Sequence, residues 1–81
     1  MPLKKDTKKD HQEYLYTKLI NSNIPQISSR FIAMRLQELD VMEITAIRKI
    51  NTLIFYIYTP KKKYSVHLHQ IDLPDAKVEE I

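Results

Sequence analysis

The chain has 81 residues, 43% of them apolar, with 13 Lys and Arg against 10 Asp and Glu for a formal net charge of +3. That length supports one small domain with a thin core and is too short for two. With neither cysteine nor glycine, disulfide frameworks, thiolate metal sites, thiol nucleophiles and Gly-rich phosphate loops are all excluded.

No apolar run is long enough to span a bilayer, and the opening MPLKKDTKK carries charge without the apolar stretch of a secretory signal. A soluble cytoplasmic protein associated with nucleic acid is expected. The charge is also uneven. Residues 1–71 hold twelve of the Lys and Arg against six acids, while residues 72–81 set Lys77 against Asp72, Asp75, Glu79 and Glu80. A basic body attracts polyanions, nucleic acid first.

In chain order, residues 1–9 with Lys4, Lys5, Lys8 and Lys9 read as a disordered basic arm. A first helix is expected over 10–21, opened by the Asp10 and Glu13 pair and lined by Leu15, Tyr16, Leu19 and Ile20. It should end in Asn21-Ser22-Asn23, where asparagine replaces glycine at a left-handed position, with Pro25 barring continuation. Residues 24–27 form a very short strand. Ser28 or Ser29 then caps a second helix that runs to about Leu39 and buries Ile32, Leu36 and Leu39.

Residues 40–53, DVMEITAIRKINTL, wind at 100° per residue with Ile44, Ile47 and Ile50 on one side. The opposite side carries Thr45, Arg48, Lys49 and Thr52 in a single stripe. Asp40 and Glu43 fit a capping box, so a third helix starts there rather than continuing the second. The period then changes from helical to alternating. LIFYIYT at 53–59 sets Phe55 and Ile57 against Tyr56 and Tyr58, and YSVHLHQI at 64–71 sets Tyr64, Val66 and Leu68 against Ser65, His67 and His69. Pro60, Lys61, Lys62 and Lys63 join the two strands in a hairpin with a cationic tip. Residues 73–81 are an acidic tail beyond Pro74.

The order helix, short strand, helix, turn, helix, strand, basic loop, strand resembles a winged helix-turn-helix domain over residues 10–72. The resemblance implies an α+β fold, mostly α, of three helices followed by a β-hairpin. It makes 40–53 the recognition helix in the major groove and Lys61, Lys62 and Lys63 the tip of a wing on the phosphate backbone. DNA-binding residues are then Thr45, Arg48, Lys49, Thr52, Lys61, Lys62 and Lys63, the cations meeting phosphates or base edges and the hydroxyls supporting them.

The expected function is binding of double-stranded DNA, as a small transcriptional regulator or DNA-organising factor, by a homodimer spanning two half-sites. The alternative is a protein-interaction module built on the apolar, tyrosine-bearing hairpin. Stacking of unpaired bases on Tyr56 and Tyr58 is a further reading, since aromatic strands serve single-strand binders in this way. His67 and His69 give two ligands without a third fixed by spacing, so neither metal nor cofactor is expected. No nucleophile and base are brought together by spacing, and an enzyme is not expected.

Overall fold

The computed structural model describes residues 7–70 and 75–81. Among them are two helices, α1 (Thr7–Asn21) and α2 (Gln26–Glu38), followed by four strands, β1 (Ala46–Lys49), β2 (Ile54–Tyr58), β3 (Lys63–Gln70) and β4 (Asp75–Glu80). The strands form one antiparallel sheet in the order β1-β2-β3-β4. None of the described helices is long and apolar enough to cross a membrane. The fold is α+β, but three helices followed by a hairpin is not its architecture.

Both helices end by the same device, which lets a chain without glycine turn sharply. At the end of α1, Asn23 takes φ 66°, its N–H donates to the Ile20 carbonyl at 3.0 Å, and the Ile24 N–H donates to Leu19 at 3.2 Å. At the end of α2, Asp40 takes φ 60°, and the N–H groups of Asp40 and Val41 donate to Gln37 and Leu36, both at 3.0 Å. These pairs of bonds are Schellman motifs, with Ile24 and Val41 buried as the apolar residue that follows the left-handed one. The expected role of Asn23 holds, whereas Asp40 closes the preceding helix instead of opening a new one.

Asp40→Gly is therefore expected to stabilise the fold. Relief of the left-handed penalty outweighs the added freedom of the unfolded chain by about 0.5 kcal/mol, or about 2–4 °C in Tm. A thermal melt followed by circular dichroism checks this, and a lower Tm would show that the Asp40 side chain contributes more than its backbone conformation costs.

The expected helix over 40–53 is absent. Residues 41–45 belong to neither a helix nor a strand, β1 follows, and 50–53 turn into β2. Val41, Ile44, Thr45, Ile47, Ile50 and Thr52 are β-branched, and such side chains lose rotamer freedom in a helix while fitting a pleated surface. Tyr14 on α1 holds the segment open. The Ile44 N–H donates to the Tyr14 hydroxyl oxygen at 3.2 Å, and that hydroxyl donates to the Ile44 carbonyl at 3.3 Å. A residue 30 positions away thus satisfies backbone groups that a helix would have paired internally.

Three smaller corrections follow. Residues 24–27 are not a strand, because Pro25 at φ −55° stands as the N-cap of α2, a place where its fixed φ and missing N–H cost little. Ser28 and Ser29 are not the cap. They lie inside α2, fully buried, and Ser29 Oγ donates to the Ile24 carbonyl at 3.1 Å. Residues 7–9 belong to α1 instead of the basic arm, whose residues 1–6 lie outside the described residues.

The hairpin has the expected faces. Phe55 and Ile57 of β2 pair in register with Val66 and Tyr64 of β3, and all four are buried. Asp75–Glu80, expected as part of a tail, instead adds β4 to the sheet with Val78 opposite Val66 and Ala76 opposite Leu68. These residues meet Leu15 and Leu19 of α1, Ile32, Ala33 and Leu36 of α2, and Ile24, Val41 and Ile44 of the connections in one core. The helices thus cover one face of the sheet. Ile47, expected in the middle of the core, sits half-buried on the inner side of the edge strand β1.

Candidate nucleic-acid interface

The other face of the sheet carries no element among the described residues, and its side chains follow from strand parity. In one row across the sheet, Ala46, Tyr58 and Lys63 lie in register. In the next lie Arg48, Tyr56, Ser65 and Glu79, and in the third Ile54, His67 and Lys77. In these three rows two tyrosines and three cations with one histidine share the face with a single carboxylate.

The tyrosines are half-buried, and the Lys63 ammonium lies 5.0 Å from the centre of the Tyr56 ring and 5.4 Å from that of Tyr58. The ring faces, which carry the negative end of the quadrupole, are thus what the open side presents to a cation. Ser65, only 7% exposed, lies in register between Tyr56 and Glu79. The Glu79 carboxylate is 3.3 Å from Lys77 Nζ, with both side chains more than half exposed. Arg48, on the outer side of β1, makes no ion pair with any described residue.

The loops that hold these strands are pinned by side chains in place of glycine. Asn51 accepts from the N–H groups of Leu53 at 2.8 Å and Ile54 at 3.0 Å, which fixes the β1–β2 turn as an Asx-turn. Thr59 Oγ1 accepts from the Lys62 N–H and donates to the Lys62 carbonyl, each at 2.9 Å. The β2–β3 turn is thereby closed, and Lys61 and Lys62 are left exposed at its tip. No family model, curated protein or solved structure matches the chain.

The residues expected to form one helical stripe are divided by the sheet. Arg48 faces the open side, whereas Lys49 faces the helix side, with Nζ donating to the Asn23 carbonyl at 3.5 Å. Thr45 is spent on the strand edge, its N–H and Oγ1 both donating to the Tyr58 carbonyl at 2.7 and 3.0 Å. Thr52 lies exposed in the β1–β2 turn. Of the three turn lysines, Lys62 lies 3.3 Å from Glu80, Lys61 has no such partner among the described residues, and Lys63 belongs to the tyrosine face. The fold thus brings Arg48 and Lys63 together with Tyr56, Tyr58 and Ser65, and separates them from Lys49 and Thr52. Alternation already put Tyr56, Tyr58 and Ser65 on the non-core faces of their strands, and only the register between strands was missing.

On the opposite side of the molecule a shallow groove over the helices is lined by Tyr16, Gln26, Ile27, Arg30, Phe31 and Met34. Ile27 and Met34 are 53% and 46% exposed. Arg30 lies over the Tyr16 ring at 3.9 Å and pairs with Glu13 at 2.8 Å.

Proposed function

We propose that the chain is a nucleic-acid-binding protein that takes an unpaired strand on the open face of its sheet. The observation that carries the reading is the register that sets Tyr56 and Tyr58 beside Arg48 and Lys63 on one face that no described element covers. Aromatic rings supply stacking platforms for bases of any sequence, and flanking cations meet the phosphates. Residues 40–53 do not form the helix that insertion into a major groove requires, and the two cations of the segment lie on opposite sides of a strand.

Binding uses each group in a definite way. The Lys63 ammonium leaves the tyrosine faces for a phosphate, which frees the rings for bases, and the Arg48 guanidinium meets the backbone at the strand edge. Lys61 and Lys62 extend the cationic margin past the turn without reading sequence.

Anisotropy titrations of a labelled unpaired oligomer of about eight nucleotides and of the matching duplex, each at two salt concentrations, test the reading. The unpaired oligomer should bind more tightly. The double variant Arg48→Ala, Lys63→Ala should flatten the log affinity against log salt plot by about 1.4, at about 0.7 for each lost phosphate contact on a single strand. Equal affinity for the duplex, or an unchanged slope, counts against it.

The groove over Ile27, Phe31 and Met34 supports a second reading, contact with a second copy of the chain through α2, which keeps the homodimer as a proposal. Sedimentation equilibrium with Ile27→Ser and Met34→Ser separates the two readings, because these substitutions would abolish such a dimer and leave the sheet face unchanged.

A further inference from the structure

Glu79 is out of place on a face that binds a phosphate backbone. It is the one carboxylate among the outward-facing described residues of the three rows, it lies in the same row as Arg48, Tyr56 and Ser65, and it repels the group that its neighbours attract. A surface ion pair such as Lys77–Glu79, with both partners well exposed, contributes little to stability and leaves the carboxylate free to accept further hydrogen bonds.

The row geometry shows what could meet it. Adjacent strands stand about 4.8 Å apart, so Tyr56 and Glu79, on strands two apart, are separated by about 10 Å of sheet. Between them lies only the small, sunken Ser65. A base stacked on Tyr56 extends across the row toward β4, and the group its outer edge encounters there is the Glu79 carboxylate.

A carboxylate only accepts hydrogen bonds. Guanine is the base whose pairing edge presents two adjacent donors, N1–H and the N2 amino group, which match the two oxygens of one carboxylate. Adenine and cytosine each offer one amino donor beside a ring-nitrogen acceptor that the carboxylate repels. Thymine and uracil offer one N–H between two carbonyls. We infer that Glu79 is a specificity-determining residue that makes the sheet face prefer an unpaired guanine, stacked on Tyr56 and read by its pairing edge. This rests on the sheet-face reading above and names the base that reading leaves open.

The test compares a labelled thymidine oligomer of about eight nucleotides with the same oligomer bearing one central guanine, too few guanines to form a quadruplex. The guanine oligomer should bind about fivefold more tightly, the lower part of the range for a two-bond base contact because this site is open to water. Inosine, which lacks the amino group, should lose much of the advantage. 7-Deazaguanine, altered only on the opposite edge, should keep it. Glu79→Ala should abolish the guanine preference while binding the thymidine oligomer as well as the parent does or better, with an unchanged thermal melt.

Equal affinity for guanine and thymidine oligomers in the parent protein, or a preference that survives Glu79→Ala, overturns the inference and leaves single-strand binding standing. Failure of both oligomers to bind overturns the reading of the face itself and this inference with it.

Discussion

The double variant Tyr56→Ala, Tyr58→Ala is expected to bind an unpaired strand at least about thirtyfold more weakly than the parent. Each stacked base is worth ~1–3 kcal/mol by alanine substitution, and two at the lower figure already give that factor. The loss should fall on affinity and much less on folding. Both rings lie on the outer face, half-exposed, where cross-strand pairs contribute ~0.2–1 kcal/mol each. The companion variant Tyr56→Phe, Tyr58→Phe keeps the rings, removes the hydroxyls and should retain most of the binding. Anisotropy titrations paired with thermal melts measure both quantities. Undiminished binding by the alanine pair would mean that the strand does not lie on these rings.

Phe55→Ala should have the opposite signature, loss of the fold without specific loss of a contact. Phe55 is 1% exposed and lies in register between Lys49 of β1 and Val66 of β3, with Ile57 two residues along on the same face. Removing a buried aromatic side chain costs ~3–5 kcal/mol. A chain of this size has roughly 4–12 kcal/mol in total, so the variant should melt far below the parent or be largely unfolded at room temperature. Circular dichroism and denaturant titration read this directly. A Tm within a few degrees of the parent would show that the helix layer does not rest on this part of the sheet. Read together, the two double variants and Phe55→Ala assign the two faces of one strand, since Phe55 and Tyr56 are adjacent in sequence and opposite in role.

The hairpin was legible in the sequence because strict alternation leaves one answer. A one-residue shift would turn Phe55 and Ile57 outward and bring the hydroxyl-bearing Tyr56 and Tyr58 into the core in their place. The end of α1 was legible for a related reason, since in a chain without glycine few residues other than asparagine and aspartate enter the left-handed region readily. The same argument holds for Asp40, where the capping-box pattern with Glu43 points to the opposite role. An aspartate beside a helix boundary can close the helix before it or open one after it. Which role it takes depends here on Leu36, Val41 and the bonds of the Schellman motif.

Residues 40–53 misled through periodicity. Ile44, Ile47 and Ile50 recur every three residues, which fits a helical face, but Ile44 is buried in a connection, Ile47 lies half-buried on an edge strand and Ile50 is 50% exposed in a turn. The deciding contact, Tyr14 with Ile44, spans 30 positions and leaves no local trace. The last strand was hidden by composition. In Asp75–Glu80 the buried residues among those described are Ala76 and Val78, and the charges around them suit an exposed edge as well as a tail. The site inherited both errors. Arg48 was a candidate through its place on a helix, and it remains one through its place beside Tyr56, a partnership that only the β1–β2 register creates. Glu79 was never a candidate, because its residue type argues against a phosphate site until its neighbours across the sheet are known.

The central claim is that the open sheet face, and not the helix layer, meets nucleic acid. Backbone amide chemical-shift mapping during titration with an unpaired oligonucleotide tests it most directly, since every non-proline residue reports. Shifts are expected to concentrate at Arg48, Tyr56, Tyr58, Lys63, Ser65 and Glu79, with Ile27, Phe31 and Met34 unmoved. Shifts centred on Ile27, Phe31 and Met34, with the tyrosine face silent, would contradict it.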